Sequence, residues 1–452
     1  MRWALCALLV ATALGACARE PLTVTVDPAT RHQTMRGWEV TVDMTDDANP
    51  RGFPPFTQAL LARAVDEVGI DRVRLEVRSG AENTDRNWTR FNAGAITQEA
   101  WRPLRYATVN DNDDPSVIAW SGFDFAELDA NIEAVVLPLR ARLAARGERL
   151  FVNLCYVAFT VQVQGGAYHH DDPEEYAEFV LATYLHMRDK YGFTPDAWEV
   201  LLEPDNHTRQ WSPRLMGEAI VAAARRLREN GFTPAFIAPS VTDMANTAPW
   251  IDEIARVDGA MADIAEFSYH RYRNGSRAHA ARIAARGARH NKPTAMLEWW
   301  FGLATPAVLY EDLTVANASA WQGQTIRMLF NVDQRDAAAP ALTIADDTRL
   351  NRLYFQAARI GAKRIEAHAT DRNAVKPIAF LNPDGGAALV MAVDGARDVA
   401  LAGLPPGVYA AAYELTDGGG GALDPVTIDA AGRGVVRTPG RGVFSLRSRG
   451  AR

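Results

Sequence analysis

Cysteine is scarce in this chain: three residues in 452, namely Cys6, Cys17 and Cys155. That is too few for a disulfide framework or a cysteine-based metal site. Cys155 stands alone in an apolar, strand-like run, where a buried inert thiol is expected. No long run of Lys or Arg occurs, and the net charge is −7. A nucleic-acid partner is therefore not expected, because phosphate contacts need clustered cations. Beyond the first sixteen residues nothing approaches the ~18 apolar residues that span a bilayer. Gly-x-Ser-x-Gly, His-Glu-x-x-His and the Walker phosphate loop are missing, leaving serine hydrolase, zincin and nucleotide chemistry without support. No cofactor is implied.

Apolar residues make up 48% and charged residues 23%, which suits a soluble globular protein with a large core. The length is roughly three times the ~150-residue prior for one domain. Met1-Arg2 is followed by an apolar stretch from Trp3 to Leu14, the pattern of a secretory signal too short to cross a bilayer. Leu14-Gly15-Ala16-Cys17 resembles the bacterial lipobox, in which the Cys is acylated and becomes the mature N-terminus. The expectation is a lipoprotein held to a membrane only through Cys17. Ala18 favours the outer membrane or a periplasm-facing position.

Strand-like runs alternate with amphipathic helix-like stretches from Arg31 onward, which implies a parallel α/β architecture. The expected strands are Gly37–Val42, Arg72–Arg78, Leu150–Tyr156, Trp198–Leu202, Ala235–Pro239, Ile264–His270, Thr294–Leu297 and Ala341–Ala345. Helices are expected between and after them, at Phe56–Val68, Phe125–Arg146, Pro173–Tyr191, Pro213–Glu229, Ala248–Val257, Ser276–His290, Ala316–Phe330 and Thr348–Ile360. Eight such units fit a (β/α)8 TIM barrel, with Ser79–Gly122 as its longest insertion. After Gly361 short alternating strands recur between Gly- and Pro-rich turns, as in a C-terminal β-sandwich. The expected division is a signal peptide at 1–16, a tether and sandwich-joining strand at 17–30, the barrel at 31–361 and the sandwich at 362–452.

Barrels carry reactive groups where their strands end. The fourth expected strand runs into Glu203-Pro204-Asp205, and the seventh into Glu298-Trp299-Trp300. Two carboxylates facing one bond are what glycoside hydrolysis requires. The sixth supplies His270 and Tyr272 at alternating positions, pointing the same way. A phenol hydroxyl there could orient an ionised Glu. On the second strand Val73, Leu75 and Val77 suit the surrounding helices, so Arg74 should face the interior, where its guanidinium suits a carboxylate nucleophile. Tyr156, Trp211, Trp299 and Trp300 are candidate sugar platforms, Trp299 first among them. His169-His170-Asp171-Asp172 is not read as a metal site: adjacent residues cannot all face one ion, and Asp is a natural cap before Pro173. No metal is implied.

Taken together, these residues resemble a clan of retaining glycosidases on (β/α)8 barrels, most closely glycoside hydrolase family 30 and its neighbour family 39. Gln33-Thr34-Met35-Arg36-Gly37-Trp38 is similar to the family 30 opening segment, and Val73-Arg74-Leu75 to its second strand. Leu202-Glu203-Pro204 looks like its Asn-Glu-Pro motif, and His270-Arg271-Tyr272 like its His-x-Tyr. The resemblance implies Glu203 as general acid/base and Glu298 as nucleophile, with net retention. It implies an oligosaccharide or polysaccharide substrate bound by Arg74, Asn153, Tyr156, His270, Tyr272 and Trp299. Two positions depart from the pattern. Leu202 replaces the Asn that contacts the sugar 2-hydroxyl, a role Asn153 could take over, and Leu297 stands where Thr or Ser is usual. These departures keep open a non-catalytic glycan-binding lipoprotein on a degenerate barrel; a transglycosylase would share the same site.

Overall fold

Alternation along each strand decides which side chains meet inside the barrel. A computed structural model describes residues 22–44, 51–163, 168–206, 210–333, 335 and 341–448; the apolar leader and Cys17 lie outside the described residues. The first strand, β1 (Thr23–Thr34), belongs to the C-terminal sheet. Eight parallel strands then close a barrel: β2 (Gly37–Thr41), β3 (Arg72–Arg78), β4 (Phe151–Val157), β5 (Ala197–Glu199), β6 (Phe236–Asp243), β7 (Ile264–Arg273), β8 (Thr294–Glu298) and β9 (Ala318–Thr325). On β3, Val73, Leu75 and Val77 join the apolar layer under the helices. Arg72 and Arg74 point inward and are fully buried.

The barrel interior mixes two kinds of packing. Phe151, Ala197, Ile237, Ala295, Leu297 and Ala320 form an apolar plug. Beside it Arg72 is held between Glu39 and Glu266, with its Nη2 2.7 Å from Glu266 Oε1. Burying charges is tolerable only when they are paired in this way. Burial pushes the Glu39 carboxyl up to about 7, against the pull of Arg72 and with the Glu199 charge adding to the rise. Cys155 is a free, buried thiol whose pKa burial drives upward.

The eighth barrel strand is not the expected one. Ala341–Ile344 forms β11, paired antiparallel with β10 (Phe330–Asp333) in a two-stranded ribbon. The barrel is closed by β9, which lies inside the segment read as the helix Ala316–Phe330 and pairs Gly37 with Ala320 and Trp38 with Trp321. Its sequence, Ala-Ser-Ala-Trp-Gln-Gly-Gln-Thr, has no Val or Ile and little strand propensity of its own. Every residue is buried, so tertiary burial overrides local preference.

After the helix Asp346–Ala357 the chain builds β12 (Lys363–Ala369), β13 (Val375–Leu381), β14 (Ala387–Asp394), β15 (Arg397–Ala402), β16 (Gly407–Leu415), β17 (Gly420–Ile428), β18 (Arg433–Thr438) and β19 (Arg441–Arg447). With β1 they make one nine-stranded sheet in the order β17-β16-β19-β14-β13-β12-β1-β15-β18. Val426, Ile428 and Val436, from the two opposite edges, share one apolar core. The sheet therefore folds over itself as a β-sandwich. Arg349 and Arg352 of the preceding helix grip the buried Glu414 of β16 and lock the sandwich to the barrel. Among the described residues no helix is long and apolar enough to cross a membrane.

Candidate active site

Glu298 is the last residue of β8, and both of its oxygens are engaged. Arg74 Nη2 donates to Oε2 at 2.5 Å, and the Tyr272 hydroxyl donates to Oε1 at 2.8 Å. Arg74 also reaches the Leu297 carbonyl at 3.4 Å. Burial opposes the Arg74 charge, yet the carboxylates of Glu298 and Glu199 hold its proton more firmly than usual. The Tyr272 phenol is pushed upward by burial and by the Glu298 charge, so it stays a donor.

Glu203 lies beyond the end of β5 and is held by a backbone device. Its φ is +50°, an uncommon conformation for a residue with a Cβ, and one found at functional sites. Its N–H donates to Ser240 O at 3.1 Å. Two residues on, the Asp205 carboxylate accepts from the backbone N–H groups of Thr242 and Asp243 at 2.7 and 3.1 Å. The loop is thereby fastened to β6, and Glu203 is turned inward with 5% exposure. His270 Nδ1 is 3.1 Å from Glu203 Oε1. Burial works against an imidazolium there, but the Glu298 and Glu203 charges outweigh it, and the His270 pKa lies above its ordinary value. Its Nε2 has no hydrogen-bond partner among the described residues.

One atom each from Glu203, His270 and Glu298 lie within 4.8 Å of one another. Such a triad could also hold a metal ion, but Arg74 already sets a cation on Glu298, and like charges repel strongly in a buried site. The Trp299 ring leans on Tyr272 with centroids 5.6 Å apart, and Arg74 sits 5.6 Å from the Trp300 ring centre.

Not every candidate residue joins this group. Asn153 gives its amide to Glu199 at 2.8 Å, with Glu39 as a longer second acceptor, so its donors are spent inside the barrel. Tyr156 points between strand and helix, where its hydroxyl meets His170 Nδ1 at 2.6 Å and Tyr168 at 3.1 Å. His170 in turn contacts Glu82 of the insertion, and Trp211 donates to Tyr168 at 2.8 Å. That chain ties three rim loops to β4. Asp172 caps the helix that begins at Pro173. Leu202 packs with Tyr106, Cys155 and Val157 in an apolar cluster.

Two residues of the site escaped the sequence reading. Gln322 of β9 donates to the Leu297 carbonyl at 2.5 Å, just before Glu298; its segment reads as helix, so no signal marked it. Phe301 is 69% exposed and carries a φ of +63°. Its place after Trp299-Trp300 was the available clue.

No family model and no curated protein sequence matches this chain. Solved structures do. A glycoside hydrolase family 30 endoxylanase from Clostridium papyrosolvens is 15% identical, with a TM-score of 0.66 over 94% of this chain and 100% of that one. The catalytic domain of family 30 xylanase C from Talaromyces cellulolyticus is 14% identical, with a TM-score of 0.65 over 94% and 99%. An endo-β1,6-glucanase is 14% identical, with a TM-score of 0.65 over 95% and 94%. From β1 through the closed barrel to the sandwich, the chain thus has the fold of these solved glycoside hydrolase family 30 structures.

Proposed function

We propose that this chain is a retaining glycosidase acting on β-linked glycans, with Glu203 as general acid/base and Glu298 as nucleophile. The observation that carries this reading is the approach of the two carboxylates to within 4.8 Å. Retaining pairs stand about 5–5.5 Å apart, whereas inverting pairs stand about 6.5–9.5 Å apart to admit a water.

In the first step Glu203 gives its proton to the glycosidic oxygen as the bond from that oxygen to the anomeric carbon breaks. A Glu298 oxygen bonds to the same carbon from the opposite face. In the second step Glu203, now a carboxylate, takes a proton from water, and the water oxygen displaces Glu298. One water is consumed and the anomeric configuration is retained. Arg74 and Tyr272 orient the Glu298 oxygens and disperse their charge as it is lost and regained. His270 orients Glu203.

In this reading residues 31–361 carry the catalytic barrel, and residue 17 bears the lipid. Acylated Cys17 would hold the protein on the outer membrane or facing the periplasm, with a short tether before β1. Neighbours described as xylanases and an endo-β1,6-glucanase make xylan and β-1,6-glucan the first substrates to try.

The test is incubation with a panel of aryl β-glycosides and these two polysaccharides, followed by NMR of the anomer first released. Release of the β-anomer supports the proposal, and release of the α-anomer rejects it. Oligosaccharide binding without any product favours the non-catalytic glycan-binding lipoprotein, which Leu202 and Leu297 motivate. Products longer than the substrate would favour transglycosylation.

A further inference from the structure

A second concentration of charge lies away from the barrel mouth. A cavity of about 510 Å³ opens between the sandwich and the outer helices of the barrel, where Arg277, Arg364, Arg372, Lys376 and His368 meet. The one carboxylate lining it, Glu366, is already engaged with His32 at 2.9 Å. Among the described residues, Arg277, Arg372 and Lys376 have no ion-pair partner. In a chain of net charge −7, this is a local excess of positive charge.

Arg364 is the buried floor of that cavity. It is 7% exposed, and its Nε donates to Gln33 Oε1 at 2.8 Å. Burial lowers its pKa to about 10, with Glu366 and Tyr310 only partly opposing the shift. A buried guanidinium so weakly compensated is costly unless a counter-ion arrives. The cavity therefore fits an anion.

The start of β1 says where such an anion would come from. Thr23 N–H donates to Thr370 Oγ1 at 3.1 Å, and Thr370 N–H donates to Thr23 O at 3.0 Å. Thr370 stands between the cavity residues His368 and Arg372, so the chain enters β1 beside the cavity rim. Leu22 follows Cys17 by five residue steps, a reach of at most about 18 Å when extended. An acyl group on Cys17 would keep this rim close to the lipid surface.

We propose that this cavity takes the phosphate of an anionic phospholipid headgroup and so docks the sandwich on the membrane that holds the anchor. The proposal rests on the reading of Cys17 as the acylated residue. Each cation near an anionic surface contributes about 1 kcal/mol, or about fivefold in partition.

The test uses the mature chain from position 17 onward carrying Cys17→Ser, so that neither the apolar leader nor an acyl group contributes. It is sedimented with vesicles of phosphatidylcholine alone or mixed with phosphatidylglycerol, with and without Arg372→Gln and Lys376→Gln. Preference for the phosphatidylglycerol vesicles, reduced about 25-fold in the double variant and displaced by glycerophosphoglycerol, supports the proposal. Equal partition to both vesicles, or a preference that survives in the double variant, overturns it. Displacement by glucuronate but not by glycerophosphoglycerol also overturns it and points to an acidic glycan. Mass spectrometry of the N-terminal peptide of the unaltered chain reads acylation separately, so failure of the anchor and failure of the cavity are distinguishable.

Discussion

Arg74 and Glu298 meet 2.5 Å apart inside the mouth of the barrel, one from the middle of β3 and the other from the end of β8. Arg74 has no exposure at all and Glu298 only 6%. A guanidinium fixed this firmly is preorganised for charge that changes on its partner during the reaction.

Arg74→Gln is therefore expected to lower kcat/KM about 10²–10³-fold, the usual loss when one preorganised donor is removed. Labelling of Glu298 by a fluorinated glycoside inactivator should slow in parallel. Arg74→Lys keeps the charge but loses the planar fork and should recover only part of the loss. Wild-type rates in both variants would place the nucleophile elsewhere.

The Glu203 role is separated by leaving group. Glu203→Gln should slow turnover about 10²–10⁴-fold on substrates whose leaving group needs a proton, and far less on activated aryl glycosides. Added azide should accelerate the activated substrates, because a small anion can replace water without a general base. Equal losses on both substrate types would remove Glu203 from the acid/base role.

Buried Glu178, on the helix Pro173–Tyr191, supplies a pH test of stability. It is 2% exposed, and its Oε1 has no hydrogen-bond partner among the described residues. Burial first, then the charges of Asp111 and Glu175, raise its pKa to about 9 from 4.5. Across that window the folded state keeps a proton that the unfolded state releases, so stability falls as pH rises. Glu178→Gln should leave Tm nearly unchanged at about pH 4 and raise it at about pH 8, flattening the Tm–pH curve measured by calorimetry. A curve parallel to wild type would show that Glu178 is ionised in the fold.

Most of the site was legible because strand ends announce themselves: Glu203, His270, Tyr272 and Glu298 all stand at or beyond the ends of recognisable strands. Arg74 was legible for a different reason, since Val73, Leu75 and Val77 assign the opposite face. β9 was not legible, because its eight residues owe their conformation to neighbours on both sides rather than to side-chain preference. Tyr156 and Asn153 were ambiguous within β4, where all seven residues are buried and no polar side marks the interior. Leu202 is explained only by packing. Its contacts with Tyr106, Cys155 and Val157 would leave an Asn amide there with apolar neighbours.

Phe301 sets stability against binding at a single position. A bulky residue at φ +63° is strained by about 1–3 kcal/mol, yet 69% of its surface faces water, so burial does not offset the strain. The ring instead extends the aromatic surface that begins at Tyr272, 6.5 Å away, and meets Trp300 at 6.1 Å. That surface runs outward from Glu298, where a pyranose face or an aryl group could stack. Phe301→Gly should raise Tm, because glycine adopts positive φ without steric cost. The same variant should raise KM for β-linked oligosaccharides several-fold, while kcat on a small activated glycoside stays near wild type. Calorimetry and initial rates on one preparation decide it: a gain in Tm with KM unchanged would leave the ring without a binding role, and a fall in Tm would mean that the ring is packed rather than presented.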